Sequence, residues 1–229
     1  MNRSRLVPIV MVVVAALAAC TAVESLRPSG ALAGRTAAPT APLAASAAAS
    51  GSGFDTAAAE KYCTEQGGKL VDRVATWNTN SAESAWLELA GRARFCEFEM
   101  TEQGNTTRIS VDLVTLYSEE PTLAGLAYLS KIPPTLPKGS SVNPASYNCT
   151  EGLWGTSQFG NTLASGGGWV NTKEDVFEIM AMCMFADGSA IDEWGITYYA
   201  DGTVRGADLS TKMRYQPKGP LPAVFVPTE

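Results

Sequence analysis

The residues in this chain whose type and spacing could do chemistry are five cysteines, three groups of carboxylates and one methionine stripe. Glu97, Glu99 and Glu102 form the first acidic group, Glu174 and Asp175 the second, Asp192 and Glu193 the third. Glu97 and Glu99 share a strand face by period two, so they could pair for acid–base work or hold Ca²⁺. The plainer reading, a solvated strand face opposite Phe98, is preferred. Met180, Met182 and Met184 alternate with Ala181 and Cys183. Soft thioethers suit copper, but a buried strand packed with adaptable methionine is the commoner case. Asp187-Gly188-Ser189 begins like a calcium loop and lacks its alternating ligands and terminal Glu. Gly166-Gly167-Gly168 is not followed by the Lys-Ser/Thr of a phosphate loop and reads as a turn. The chain has no histidine. That removes the usual neutral-pH base, Ser-His-Asp and Cys-His nucleophile pairs, and histidine metal sites. No metal or cofactor is expected, and the chain is read as not an enzyme.

The first twenty residues determine how the cysteines are read. Arg3 and Arg5 precede an apolar run from Leu6 to Ala19, too short for the ~20 residues a membrane span needs and suited to a secretory signal. The run ends Leu17-Ala18-Ala19-Cys20. This resembles the bacterial lipobox, and the resemblance implies that Cys20 is lipidated and residues 1–19 are removed. The expected location is the bacterial cell envelope, on the extracytoplasmic side, with membrane lipid held through acylated Cys20. There disulfides persist, and without a CxxC spacing a zinc cluster is not expected. A net charge of −6 argues against nucleic acid. Residues 20–54, rich in Ala, Ser, Pro and Gly, cannot bury enough apolar surface to order themselves and read as a flexible tether.

The rest of the chain contains an internal repeat. Cys63-Thr64-Glu65 recurs as Cys149-Thr150-Glu151, and Cys96-Glu97-Phe98 recurs as Cys183-Met184-Phe185, at nearly equal spacing. Four cysteines allow three connectivities, and the repeat selects Cys63–Cys96 and Cys149–Cys183. Closing a loop of about 35 residues contributes on the order of 4 kcal/mol in the chain-entropy model, a large share for so small a unit. Asp55 is placed to cap a helix running to Gln66, stopped by Gly67-Gly68. Asn143 caps a second helix, with Pro144 at its first position and Gly152 closing it. Strands are expected at Lys69–Ala75, Trp86–Leu89, Arg94–Met100 and Thr107–Tyr117, then at Gly168–Asn171, Val176–Phe185 and Ala190–Tyr199. A linking helix is expected over Pro121–Lys131. The fold class is α+β: two disulfide-stapled repeats, each a short helix plus antiparallel strands, able to share one core. The domains are 55–132 (first repeat and linking helix), 133–142 (linker), 143–215 (second repeat) and 216–229 (Pro-rich tail).

Asn143-Pro144-Ala145-Ser146-Tyr147-Asn148-Cys149, with the later run Cys183 to Ser189 and Glu193-Trp194, resembles a family of small bacterial envelope lipoproteins. These carry a domain of unknown function and are loosely labelled hemolysins. Tyr62 to Leu70 supplies other parts of the same pattern. The family usually has a further cysteine just before the Glu-Trp pair and another near the domain end. Here Ile191 holds the first place and no cysteine follows, which reads as loss of one disulfide. A pore-former would need long amphipathic strands or an apolar helix; neither occurs beyond the signal peptide.

Trp154, Phe159, Trp169, Trp194, Tyr198 and Tyr199 concentrate in the second repeat. Trp154 and Trp169, both in Gly-rich surroundings, form the candidate binding surface if they are exposed together. The expected function is a non-enzymatic binding or structural module, with an envelope protein or ligand as partner. One alternative is an inhibitor of an envelope or secreted hydrolase, presenting a rigid loop at Asn78–Glu83 or Gln158–Gly168. A carboxylate-using enzyme is the last.

Overall fold

The structure, a computed structural model, describes residues 53–157, 166–171 and 179–225. Helix α1 (Thr56–Glu65) starts at the expected cap, where the Ala58 N–H donates to the Asp55 carboxylate. That satisfies one of the donors a helix start leaves open. The chain turns through Gly67, at φ +84°. Strands β1 (Lys69–Trp77), β2 (Leu87–Glu102) and β3 (Asn105–Asp112) then form an antiparallel meander.

β2 is a single strand where the sequence suggests two. Arg92 and Ala93, which show no apolar alternation, are held in the ladder opposite Val74 and Arg73, and a register shift follows before Thr76.

Two expected strands stop early for one physical reason. The alternation Ile109, Val111, Leu113, Thr115, Tyr117 looks continuous, but the chain turns after Asp112 into helix α2 (Leu113–Tyr117). The Asp112 carboxylate accepts from the Thr115 N–H at 2.9 Å and its hydroxyl at 2.6 Å, starting the helix. In the same way Ala190–Tyr199 is strand β8 (Ala190–Asp192) followed by helix α5 (Glu193–Ala200), with Asp192 accepting from the Trp194 N–H. An aspartate cap outcompetes strand propensity at both places.

Between them, helix α3 (Leu123–Ser130) starts at Thr122 and ends with Lys131 in the left-handed region. Its first amides are held from afar: Leu123 donates to Asp187 and Ala124 to Ser189. The Asp187-Gly188-Ser189 turn is thus a helix clamp. Helix α4 (Pro144–Tyr147) has Asn143 as cap and Pro144 at N1, and runs on as a wider turn over Asn148–Gly152.

The later strands are β4 (Thr156–Ser157), β5 (Gly167–Val170), β6 (Ile179–Met180) and β7 (Met182–Met184). The strand expected over Val176–Phe185 is divided at Ala181, whose carbonyl turns to accept from the Glu193 N–H; residues 176–178 lie outside the described set. The eight strands among the described residues join one antiparallel sheet, in the order β4-β7-β8-β3-β2-β1-β5-β6. Because β6 and β7 are consecutive in the chain yet lie near opposite ends of that order, the sheet curls into a half-barrel.

Its outer face packs against the helices in one main core drawn from both halves of the chain. Cys63, Cys96, Phe98, Ile109, Val111, Leu116, Tyr128, Cys149, Cys183 and Ile191 belong to it. The inner face holds a smaller cluster of Ala75, Phe95, Trp169, Met180, Met182 and Ala190. Residues 216–225 have no regular element, but Phe225 is buried and packs near Phe185.

The disulfides are Cys63–Cys96 and Cys149–Cys183, the expected pairs. Each has a glycine against its sulfurs. A Cβ on Gly68 would collide with the Cys96 and Cys63 sulfurs, and one on Gly155 with those of Cys183 and Cys149. Gly68→Ala and Gly155→Ala are therefore expected to destabilise by about 1–3 kcal/mol each. Gly219→Ala, in open space, should change stability by less than about 0.5 kcal/mol. Urea unfolding of the three variants checks this.

Candidate functional site

The structure separates the two tryptophans of the expected binding surface. Trp154 is 56% exposed, but Trp169 is only 3% exposed. The glycines before Trp169 are strand, with Gly167 and Gly168 paired to Trp77 and Thr76 of β1. Period two then turns Trp169 to the inner face, edge-on to Phe95 at 5.6 Å. Trp154 has φ +51°, in the region that favours glycine, and precedes Gly155 at the disulfide. Cys20, Glu174 and Asp175 lie outside the described residues.

The carboxylates also separate. Glu99 is exposed and pairs across the ladder with Arg108 at 2.8 Å. Glu97 is not solvated, contrary to expectation. It is 2% exposed and bonded to the fully buried Arg73 at 2.5 Å. Ser110 donates to the same oxygen at 3.0 Å, and Arg73 also reaches the Trp169 carbonyl at 3.3 Å. Curling the sheet encloses the face that a flat strand would leave wet. A buried pair of this kind holds together because removing either partner strands the other charge. The readable signal was an arginine between Val71 and Ala75 on an otherwise apolar face, with Glu97 available on the next strand.

Asp192 and Glu193 are buried as well, and Ser146 donates to Glu193 at 2.9 Å. Burial pushes the Asp192 carboxyl up to about 7, against the pull of the Gly195 amide, Arg205 and the Trp194 amide; Glu193 pushes it further up. Burial also raises Asp112, against donors from Ala190, Thr115 and Val114. Both aspartates accept from amides at helix starts. Among the described residues no group of three His, Cys, Asp or Glu side chains is placed to hold a metal. Met180 and Met182 are buried in the inner cluster, with Met184 packed against it.

One end of the half-barrel is hollow. A cavity of about 210 Å³ is lined by Ala93, Phe95, Asp112, Trp169, Met184 and Ala190, with Arg92 and Arg94 among its other residues. It lies where β3 stops at Asp112 while β2 runs on towards Leu87. Phe95 and Ala190 escaped notice in the sequence because each is unremarkable until the curl brings five strands together. The Trp169 indole N–H is buried in the inner core with no hydrogen-bond partner. No helix among the described residues is long and apolar enough to cross a membrane.

Comparison of the chain with family models, with curated proteins and with solved structures finds no match.

Asp192 makes a pH prediction with a definite sign. A carboxyl raised in the folded state favours folding fully below its unfolded value, about 3.9, and this is lost as pH rises through about 7. The chain has no histidine, and Asp112, also raised by burial, adds to a slope of the same sign. The unfolding free energy should fall from pH 5 to pH 8, by roughly 2–3 kcal/mol at about 1.4 kcal/mol per pKa unit. Asp192→Asn keeps an acceptor for the Trp194 amide and removes the charge. It should flatten that slope and match or exceed the natural protein at pH 8; an unchanged slope would refute the assignment.

Proposed function

We propose that the chain is a bacterial envelope lipoprotein, anchored through acylated Cys20, whose tethered duplicated α+β unit is a non-enzymatic binding module. The anchor rests on the sequence of residues 1–20, and the duplication on sequence flanks and matching registers. Cys96 stands between Leu70 and Val111 in the sheet, and Cys183 between Ser157 and Ile191. Gly68 and Gly155 fill equivalent places on the two disulfides, each donating its N–H to the first cysteine's carbonyl. Asp112 and Asp192 cap the helices that follow. Val111 and Ile191, equivalent in the two registers, pair with each other.

Trp154 is the observation that carries the binding role. By this correspondence it occupies the place of Gly67, and both are left-handed. Glycine takes that conformation without strain, whereas another residue loses about 1–2 kcal/mol. A large ring kept in a strained place with more than half its surface in water returns little to folding there. It suits an anchor for a partner protein, since tryptophan is favoured at the centres of interfaces. The engaged positions of Glu97, Asp192 and Glu193 also favour a non-enzymatic role.

One observation favours a second reading, hydrolase inhibition. The exposed loop after β1 is bonded to itself. Ser81 donates through its N–H and hydroxyl to Asn78, Asn78 donates to the Ala85 carbonyl, and the Trp86 indole donates to the Ser81 carbonyl. Such preorganisation is what an inhibitory loop needs.

Capture from envelope extract on the full-length protein should retain one partner in near-equimolar amount. Trp154→Ala should lose at least tenfold of it while melting no lower than the natural protein. Equal capture by the variant would overturn the Trp154 role, and undiminished capture with inhibition of the captured hydrolase would favour the loop. Mass spectrometry of the mature N-terminus should show cleavage before Cys20 and a diacylglycerol adduct. An intact, unmodified N-terminus would overturn the anchor.

A further inference from the structure

We propose that the open edge of β2 is a self-association surface, where a second copy of this chain adds its own β2 antiparallel about a two-fold axis at Ala90. This surface is separate from Trp154 and does not depend on the partner-binding reading.

The edge arises from unequal strand lengths. β2 runs from Leu87 to Glu102, but β3 pairs only with Phe95–Glu102. β3 leaves the sheet at Asp112, whose carboxylate starts α2. Leu87–Arg94 therefore has β1 on one side and, among the described residues, no strand on the other. Such an edge is a template for another strand. The gap of about 210 Å³ lies at its end, beside Arg92, Ala93 and Arg94.

The side chains along it are open to water. Leu87 is 57% exposed, and Glu88, Ala90 and Arg92 are exposed as well. Period two sets Glu88, Ala90 and Arg92 on the outer face and Leu87, Leu89 and Ala93 on the inner one. Leu89 and Ala93 pack against the inner cluster there.

The chain guards this edge with its own side chains. Leu89, Ala90 and Gly91 stand opposite Ala75 alone, which makes a bulge. The Leu89 and Gly91 carbonyls accept from the Arg92 guanidinium at 2.6 and 3.0 Å, and Glu88 lies 3.8 Å from the same group. Exposed charge contacts of this kind are weak and easily exchanged. An added strand brings backbone N–H groups to such acceptors and fresh charges to such side chains.

Charge selects a second copy as the occupant. Bulges and charged residues ordinarily blunt an edge, and charges of one sign repel a like strand. Here the signs are opposite and placed symmetrically about Ala90. In the two-fold register Glu88 faces the partner's Arg92, and Arg92 faces the partner's Glu88. Leu87 faces the partner's Ala93 and Leu89 the partner's Gly91, which extends the inner apolar strip. The loose pair within each chain is thus exchanged for two pairs between chains, and no like charges meet. A strand pair of this length is far smaller than a standard interface, so the contact is transient and concentration-dependent.

Sedimentation velocity on the full-length protein, in excess non-ionic detergent and over rising concentration, tests this. The natural protein should pass from one chain to two as concentration approaches about 1 mM, the range of weak contacts. Glu88→Arg alone and Arg92→Glu alone each set like charges opposite one another. Each should weaken association at least about fivefold, the loss of two cross-strand pairs. An equimolar mixture of the two variants should restore association, because every facing pair is then again of opposite sign. Mixing cannot mend a folding defect, so restoration reports the register itself. The proposal is overturned by any of three results. The natural protein stays a single chain throughout. Either variant alone associates as strongly as the natural protein. The mixture associates no better than its components.

Discussion

The β3–β8 seam is the narrowest joint in this molecule, and one carboxylate secures it. The two strands share a single ladder pair, Val111 with Ile191, although the sheet between them runs continuously through both halves of the chain. Asp112 stands next to that pair. It receives the Ala190 N–H at 2.7 Å from the second half while its other oxygen and the same carboxylate start α2 in the first. The buried acid is an expensive device, as its raised titration point shows, and its several donors offset the cost. Asp187 and Ser189, reaching across to the first amides of α3, close the same seam from the other side. Helix starts, normally a local matter, here serve as the polar joints between distant parts of the sequence.

The two faces of the sheet solve different problems. The outer face is a conventional apolar core, in which both disulfides sit beneath helices and glycines that admit no side chain. The inner face has too little room for helices and too much for strands alone. It is filled by Trp169, Phe95 and methionines around the buried Arg73–Glu97 pair. A buried ion pair contributes little net stability against apolar residues of equal volume. It does fix how β1 and β2 lie, since either charge left alone would be far worse. The same enclosure leaves one end hollow and an indole donor unsatisfied in the inner core. The inner face therefore combines a buried ion pair with a cavity at one end.

The surface offers the opposite case. Trp154 occupies a backbone conformation suited to glycine and leaves more than half of itself in water. Strain and exposure together at one residue are hard to reconcile with a purely structural role, whereas the buried tryptophan is readily explained by packing. The chain thus has two aromatic features of different kind: a rigid ring presented outward beside a disulfide, and a ring pair packed edge to face in the inner core.

Much of this was legible in the residues. Cap and turn chemistry located α1 and α4, because Asp55, Asn143 and Pro144 act within three or four positions of themselves, whereas the Thr122 cap of α3 emerged only from the structure. Repeated flanks around the cysteines gave the disulfide pairs, because equal spacing with equal neighbours leaves one connectivity. Alternation misled at Asp112 and Asp192, where period two continues into a helix and only the cap breaks it. It also could not place Glu97 or Trp169, whose fates depend on the curl of the sheet. The sequence alone determined the caps at Asp55 and Asn143, the disulfide pairs and the absence of histidine chemistry. Only the tertiary structure decided which strand face became an interior, because inside and outside of a curled sheet are set by which distant strands meet, and no local pattern carries that information.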